Sequence, residues 1–277
     1  MTAIPTAGRD ENAPLVMGVL NVTPDSFSDG GRFVDPEAAI AHGRRLFAEG
    51  ADIVDVGGES TRPGAEPVSV DVERQRVVAV IAELARHGRV SIDTRKDAVA
   101  EAALDAGATI LNDVSASLHH VAASAGVVWI AMHMRGEPAT MQTDPRYRDV
   151  VAEVRAFLMA KAETGLAAGV PEVWIDPGIG FGKTPTHNLS LLRRLAEITS
   201  AGYPVVVGTS RKSFLGLLHG GSDGLGDLSD GVPVSDRLEG SLATAVWALA
   251  CGASVVRVHD VAETVAAVRI CSEEVAA

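Results

Sequence analysis

Eight short apolar runs recur along the chain. Each closes on a polar residue or a glycine, and each is followed by a stretch whose apolar positions have helical spacing. The runs are Leu15–Leu20, Asp52–Val56, Arg89–Ile92, Thr109–Leu111, Val127–Met132, Val173–Ile175, Pro204–Val207 and Ser254–Val258. Their apolar character is continuous rather than alternating, which suits strands buried on both faces of a parallel sheet. Asp35 and Pro36 open the first helix as N-cap and first-turn residue. Ala39, Ile40, Leu46 and Phe47 give its apolar stripe, and Gly50 ends it. Further helices are expected over 71–87, 98–106, 121–125, 149–168, 189–199 and 236–250, and a last one running to the C-terminus. Asp236 and Glu239 have the spacing of a capping box. Eight strand–helix units in 277 residues fit an α/β fold, a single-domain (β/α)8 TIM barrel over residues 15–277, with residues 1–14 as a flexible N-terminal tail. An open doubly wound sheet is the alternative, but no dinucleotide-binding turn follows the first strand. The segment 219–235, rich in Gly, Asp and Ser, is expected as an insertion in the seventh strand-to-helix connection.

The sharpest local pattern is Val173–Lys183, an apolar strand that breaks at Asp176-Pro177 into a loop with Gly178, Gly180 and Gly182. Pro177 stops strand pairing and keeps Asp176 extended, while the glycines permit close backbone approach. Two familiar glycine motifs fail here. A phosphate-binding P-loop ending at Gly182-Lys183-Thr184 needs glycine at position 177, which is Pro177. The G-x-G-x-x-G fingerprint needs glycine where Lys183 stands. In a parallel barrel, Asp176 would end its strand at the mouth, where active sites form. The bland alternative is a tight turn with a solvated carboxylate.

Composition narrows the function classes. A net charge of −12 argues against a broad nucleic-acid surface and makes any local basic cluster more informative. No apolar run approaches the ~18 residues of a membrane span, and the first residues lack a signal-peptide core. A cytoplasmic protein is expected. The two cysteines, Cys251 and Cys271, have no metal-ligand spacing and read as small buried hydrophobes.

The strand ends carry the candidate chemistry: Asn21, Glu59, Asp93, Asn112, His133, Asp176, Lys212, Arg257 and His259. Any one of these reads as an ordinary polar loop residue; a ring of them is harder to set aside. Asp93, Asn112 and Asp176 suit a flat heterocycle that presents N–H donors along one edge. Arg62, Arg211, Lys212, Arg257 and His259 suit an anion such as phosphate or diphosphate. For Lys212, a solvated surface lysine and a Schiff-base lysine are the competing readings. The long loops Asn21–Gly31 and Gly57–Ala65 could close over a substrate.

The segments Asn21–Gly31, Asp55–Ala65, Ser91–Thr94, Asn112–Ser115, Met132–Gln142, Asp176–Lys183, Ser210–Gly216 and Arg257–Asp260 closely resemble the dihydropteroate synthase family, in the family's order and over nearly the whole chain after residue 15. These are folate-pathway enzymes targeted by sulfonamides. The resemblance implies a barrel that condenses 6-hydroxymethyl-7,8-dihydropterin diphosphate with p-aminobenzoate. By similarity, Asp93, Asn112, Asp176 and Lys212 hold the pterin, and Asn21 ligates Mg²⁺ beside the diphosphate. Arg257 and His259 bind the diphosphate and, with Lys212, form the catalytic set. Phe27, Thr61, Arg62, Pro63 and Ser213 border the p-aminobenzoate site. Small-molecule substrates, with neither nucleic acid nor membrane as partner, are implied. So is a homodimer through the last helices, for which Ala262, Val265, Ala266 and Val268 offer an apolar set. One departure stands out: Ala116 follows Ser115 where the family usually has glycine. The competing functions are a pterin-dependent methyltransferase barrel and a non-catalytic pterin-binding paralogue. The first should lack the Asn21–Gly31 and Ser210–Lys212 segments, and the second should have lost charged site residues.

Overall fold

A computed structural model describes residues 13–23, 35–60, 65–220 and 232–272. Eight parallel strands run β1 (Leu15–Asn21), β2 (Ile53–Gly57), β3 (Arg89–Asp93), β4 (Ile110–Asp113), β5 (Val128–Met132), β6 (Glu172–Asp176), β7 (Val206–Val207) and β8 (Val255–Val258). They pair in the order β6-β5-β4-β3-β2-β1-β8-β7. A parallel bridge between Ile175 and Val205 joins the ends of that order, with Ile175 N donating to Pro204 O at 3.0 Å. The sheet therefore closes into the expected TIM barrel, since each strand returns to a parallel neighbour through helical crossovers.

Two apolar layers hold it together. Met17, Ile53, Ile110, Ile130, Trp174, Val206 and Val255, one from every strand but β3, form a buried cluster of their own. From β3, the Arg89 guanidinium lies over the Trp174 ring at 5.8 Å. A larger cluster, including Leu46, Ile81, Leu84, Trp129 and Leu158, fills the space between strands and helices. Each such side chain contributes about 1.5–3 kcal/mol on burial. Many small contributions from Ala, Val and Leu thus replace the aromatics this chain largely lacks.

Helix starts follow their local chemistry. Asp35 accepts the Glu37 N–H at 2.9 Å, with Pro36 in the first turn of the helix Pro36–Ala48. Ser69 caps Val70–Leu84 through Val72 N at 3.3 Å. Several expectations need correction. The helix expected over 189–199 begins at Pro185, because Thr184 and His187 cap it reciprocally; it stops at Arg193, before a separate turn, Ala196–Thr199. Asp236 and Glu239 form no capping box. Val234–Asp236 is a 3₁₀ turn, and the helix Leu238–Ala250 follows Arg237, which makes no side-chain cap. A further helix, Ser213–Gly220, follows β7 where the sequence suggests only a connection. Cys251 is half-buried and Cys271 exposed, so burial does not account for the latter. On the last helix, Val261–Ser272, Val268 is buried and Val265 packs against the core, leaving only Ala262 and Ala266 of the expected dimer set facing outward.

Candidate active site

Strand register assembles the mouth. Asn21 lies opposite Gly57, Gly57 opposite Asp93, and Asp93 opposite Asn112, so four adjacent strands end at one level. A Cβ at Gly57 would stand 3.6 Å from Asp93 Cβ and 3.9 Å from Asn21 Oδ1. Its absence keeps room between the amide and the carboxylate. Asp176 ends β6, Arg257 lies in β8, and Lys212 follows β7.

Arg257 ties this ring together. Its Nε donates to Asp55 Oδ2 at 2.6 Å and its Nη2 to Asp93 Oδ2 at 2.8 Å. Asp55 Oδ2 also accepts Asn112 Nδ2 at 3.0 Å. Burial alone would lower the pKa of the guanidinium, but Asp55 and Asp93 outweigh it and hold the group firmly charged. Burial pushes the Asp93 carboxyl up to about 7, with Arg257 opposing and Asp55, Glu73 and Asp113 reinforcing. Asp93 Oδ1 and Asp55 Oδ1 are buried without a partner among the described residues. Unpaired buried acceptors are costly, and the one on Asp93 suits a donor edge brought in by a substrate.

The β6 loop completes the opposite wall. Asp176 Oδ1 accepts Gly178 N at 2.7 Å. Burial raises its pKa, while Lys212 and the Gly178 N–H work against that rise. Lys212 Nζ donates to the Ile179 carbonyl and lies 4.8 Å from the centre of the Phe181 ring. Burial lowers its pKa to about 8, against the pull of Asp176. Beneath the loop, the buried Lys183 Nζ reaches Gly178 O at 2.8 Å, Phe181 O at 3.0 Å and His133 Nδ1 at 2.9 Å. Gly178 and Gly182 have φ of 63° and 61°, and a Cβ at either would fall 1.9 Å from His133 O or 2.3 Å from Arg135 O. Only glycine lets the two loops meet so closely.

The sequence-derived candidates divide. Asp93, Asn112, Asp176, Lys212 and Arg257 converge as expected. His259 stands beside them. Its backbone N–H donates to Ser210 Oγ at 3.1 Å, and its ring Nδ1 shares a hydrogen bond with the same oxygen, also at 3.1 Å. Ser213 is exposed at the start of its helix, next to Lys212. Arg211 turns away: its φ of 60° sends its side chain out to Asp260 while Lys212 points in. Glu59 is spent on Arg95, Lys96 and the Val68 N–H, and His133 on Lys183. Phe27, Thr61, Arg62 and Pro63 lie outside the described residues.

A magnesium ion fits the donor chemistry at Asn21 in a limited way. No cluster of three or more His, Cys, Asp or Glu side chains that could hold a metal occurs among the described residues. Asn21 offers one hard oxygen beside the space at Gly57. That matches an ion held by one or two protein oxygens and completed by phosphates.

Asp55 and Lys183 are missing from the sequence-derived set. Asp55 was visible as a carboxylate inside an otherwise apolar strand, a position that needs a buried partner. Lys183 had a weaker signal, since a lysine closing a glycine loop is usually solvated.

The pterin binding enzyme family matches residues 17–259. Dihydropteroate synthase of Mycobacterium leprae is 49% identical over 268 residues, covering 93% of this chain and 93% of its own. Xanthomonas albilineans dihydropteroate synthase with 4-aminobenzoic acid superposes with a TM-score of 0.84 at 43% identity, covering 94% of this chain and 92% of that one. Yersinia pestis dihydropteroate synthase in a sulfonamide drug complex gives 0.84 at 42% identity, covering 95% and 94%.

Proposed function

The chain belongs to the pterin binding enzyme family as a dihydropteroate synthase, and on that footing we propose how its barrel mouth does the work. The reaction joins 6-hydroxymethyl-7,8-dihydropterin diphosphate to p-aminobenzoate and releases 7,8-dihydropteroate and diphosphate. The observation that carries the site reading is the convergence of Asp93, Asn112 and Asp176 as acceptors with Lys212 and Arg257 as donors.

In this reading Asp93, Asn112 and Asp176 take the N–H and amino donors of the pterin, and Lys212 donates to its acceptor edge. Arg257 and His259 face the diphosphate, the guanidinium as a fixed positive charge and the imidazole as a hydrogen-bonding partner held beside it by Ser210. Asn21 would hold Mg²⁺, which when bound spreads the negative charge of the departing diphosphate. The pterin ring can share positive charge developing at the methylene, so an SN1-like path needs no strong general base. The site then acts by orientation and by charge complementarity. Phe27, Thr61, Arg62, Pro63 and Ser213 would border the incoming arylamine. The intact charged set favours turnover over a non-catalytic pterin-binding role.

A cytoplasmic homodimer completes the proposal. Among the described residues no helix is long and apolar enough to cross a membrane. Trp247 is 50% exposed and Leu189 42%, and Trp247 Nε1 donates to Leu192 O at 2.8 Å, so their two helices share an outward apolar face that a second copy would cover.

The test follows both products together. Purified protein, both substrates and Mg²⁺ should yield dihydropteroate and diphosphate in equal amounts, with loss of both on chelation. Tight pterin binding with neither product would return the non-catalytic reading.

A further inference from the structure

Asp55 contacts both halves of the mouth. It is fully buried in β2, two residues before the strand ends. One oxygen, Oδ2, accepts from Arg257 Nε at 2.6 Å and from Asn112 Nδ2 at 3.0 Å. Those two residues lie on β8 and β4, on either side of β2 in the barrel wall. A carboxylate of this kind only accepts hydrogen bonds, whereas an amide presents a donor on one side and an acceptor on the other. Asp55 therefore forces Asn112 to turn its NH₂ inward, and Asn112 Oδ1 is left as the acceptor offered to the mouth. The same oxygen fixes the guanidinium plane of Arg257. Asp93 takes Nη2, and Nη1 is left without a partner among the described residues.

We infer that Asp55 is a positioning residue that sets the amide orientation of Asn112 and the guanidinium plane of Arg257 together, and so couples pterin recognition to diphosphate recognition. This rests on the roles proposed above for Asn112 and Arg257. In this role Asp55 acts through those two residues rather than on either substrate. An asparagine at position 55 would break the arrangement without changing its size. Its own NH₂ could donate to Asn112 Oδ1, letting the Asn112 amide rotate and show the wrong group to the pterin.

The experiment measures binding of two separate probes, free 6-hydroxymethyl-7,8-dihydropterin and inorganic diphosphate with Mg²⁺, by calorimetry. Two controls come first. Asn112→Ala should weaken the pterin at least tenfold, and Arg257→Ala should weaken diphosphate at least tenfold. If either control binds its probe normally, the site reading itself fails. With both controls holding, Asp55→Asn should weaken both probes at least fivefold. In the Asn112→Ala background it should cost no further pterin affinity, because the amide it orients is gone. Unchanged binding of both probes by Asp55→Asn would overturn the inference, as would independent losses that multiply in the double variant. A measurement on the unmodified protein stands even if Asp55→Asn fails to fold. The Asn112 side-chain NH₂ protons should exchange slowly with solvent by NMR; exchange as fast as a surface asparagine would also overturn it.

Discussion

Lys183 Nζ lies 2.9 Å from His133 Nδ1, and the rest of the ammonium's hydrogen bonds go to backbone carbonyls rather than to a carboxylate. The contact pins the connection after β5 to the loop after β6. That second loop supplies the Ile179 carbonyl and the Phe181 ring that flank Lys212.

Lys183→Met should therefore act on the site from beneath it. It removes the shared donor of several buried acceptors, at a cost of about 1–3 kcal/mol for each acceptor left unsatisfied. A lower midpoint in urea unfolding and at least a tenfold loss in kcat/KM are expected. Normal activity in a folded Lys183→Met would show that the loop holds its shape without the cage.

His133 makes a prediction about acid stability. Burial, helped by Lys183, lowers its pKa to about 3 from an ordinary value of 6.5. Between those values the unfolded chain binds a proton at this site and the folded chain does not, so this contribution favours folding less as pH falls through the window. The slope approaches about 1.4 kcal/mol per pH unit. His133→Gln should lose that share of the slope between pH 6 and 4, read from urea midpoints. Parallel pH profiles for the two proteins would contradict it.

Asp93 makes the opposite kind of prediction, about binding. Its carboxyl titrates near 7, raised by burial, and only the ionised form accepts donors through both oxygens. Affinity for the free dihydropterin alcohol should fall as pH drops from 8 to 6, by several-fold per unit at the acid end. Calorimetry across that range checks it; a flat profile would remove Asp93 from the pterin contacts.

Ala116 holds a φ of 50° and is fully buried. The family resemblance leads one to expect glycine here, and the backbone gives a physical reason, since left-handed φ strains any residue with a Cβ by about 1 kcal/mol or more. Ala116→Gly should lie within about 1 kcal/mol of the parent, because relief of strain offsets the lost methyl. Ala116→Val should cost about 3 kcal/mol or more, since β-branching is poorly tolerated there and space is lacking. Denaturant melts distinguish these from the reverse order.

The barrel was legible because its strands are continuous apolar runs, and its site because Asp93, Asn112 and Asp176 fall where those runs stop. The helix Ser213–Gly220 was not, since it sits in a stretch that reads as the start of a long connection. Glu59 and His133 occupy strand ends too, yet their partners Lys96 and Lys183 lie 37 and 50 residues away in sequence, and only the fold brings them together. Asp55 escaped a reading confined to strand ends because it stands inside a run, although a carboxylate there signals a buried partner. Position along a strand identifies what can face the mouth, but not which charged groups neutralise one another.

The joint between Ile175 and Val205 lies beside the substrate site. There β6 meets the last strand pair through a single parallel bridge, and Asp176 and Lys212 stand at its two banks. A ligand gripped by both would work as a clasp across the weakest rung of the cylinder. Occupancy should then be felt as stiffness far from the mouth, with slower amide hydrogen exchange at Ile175 when the dihydropterin is bound than when it is absent. On this view the enzyme is a ring finished by what it binds.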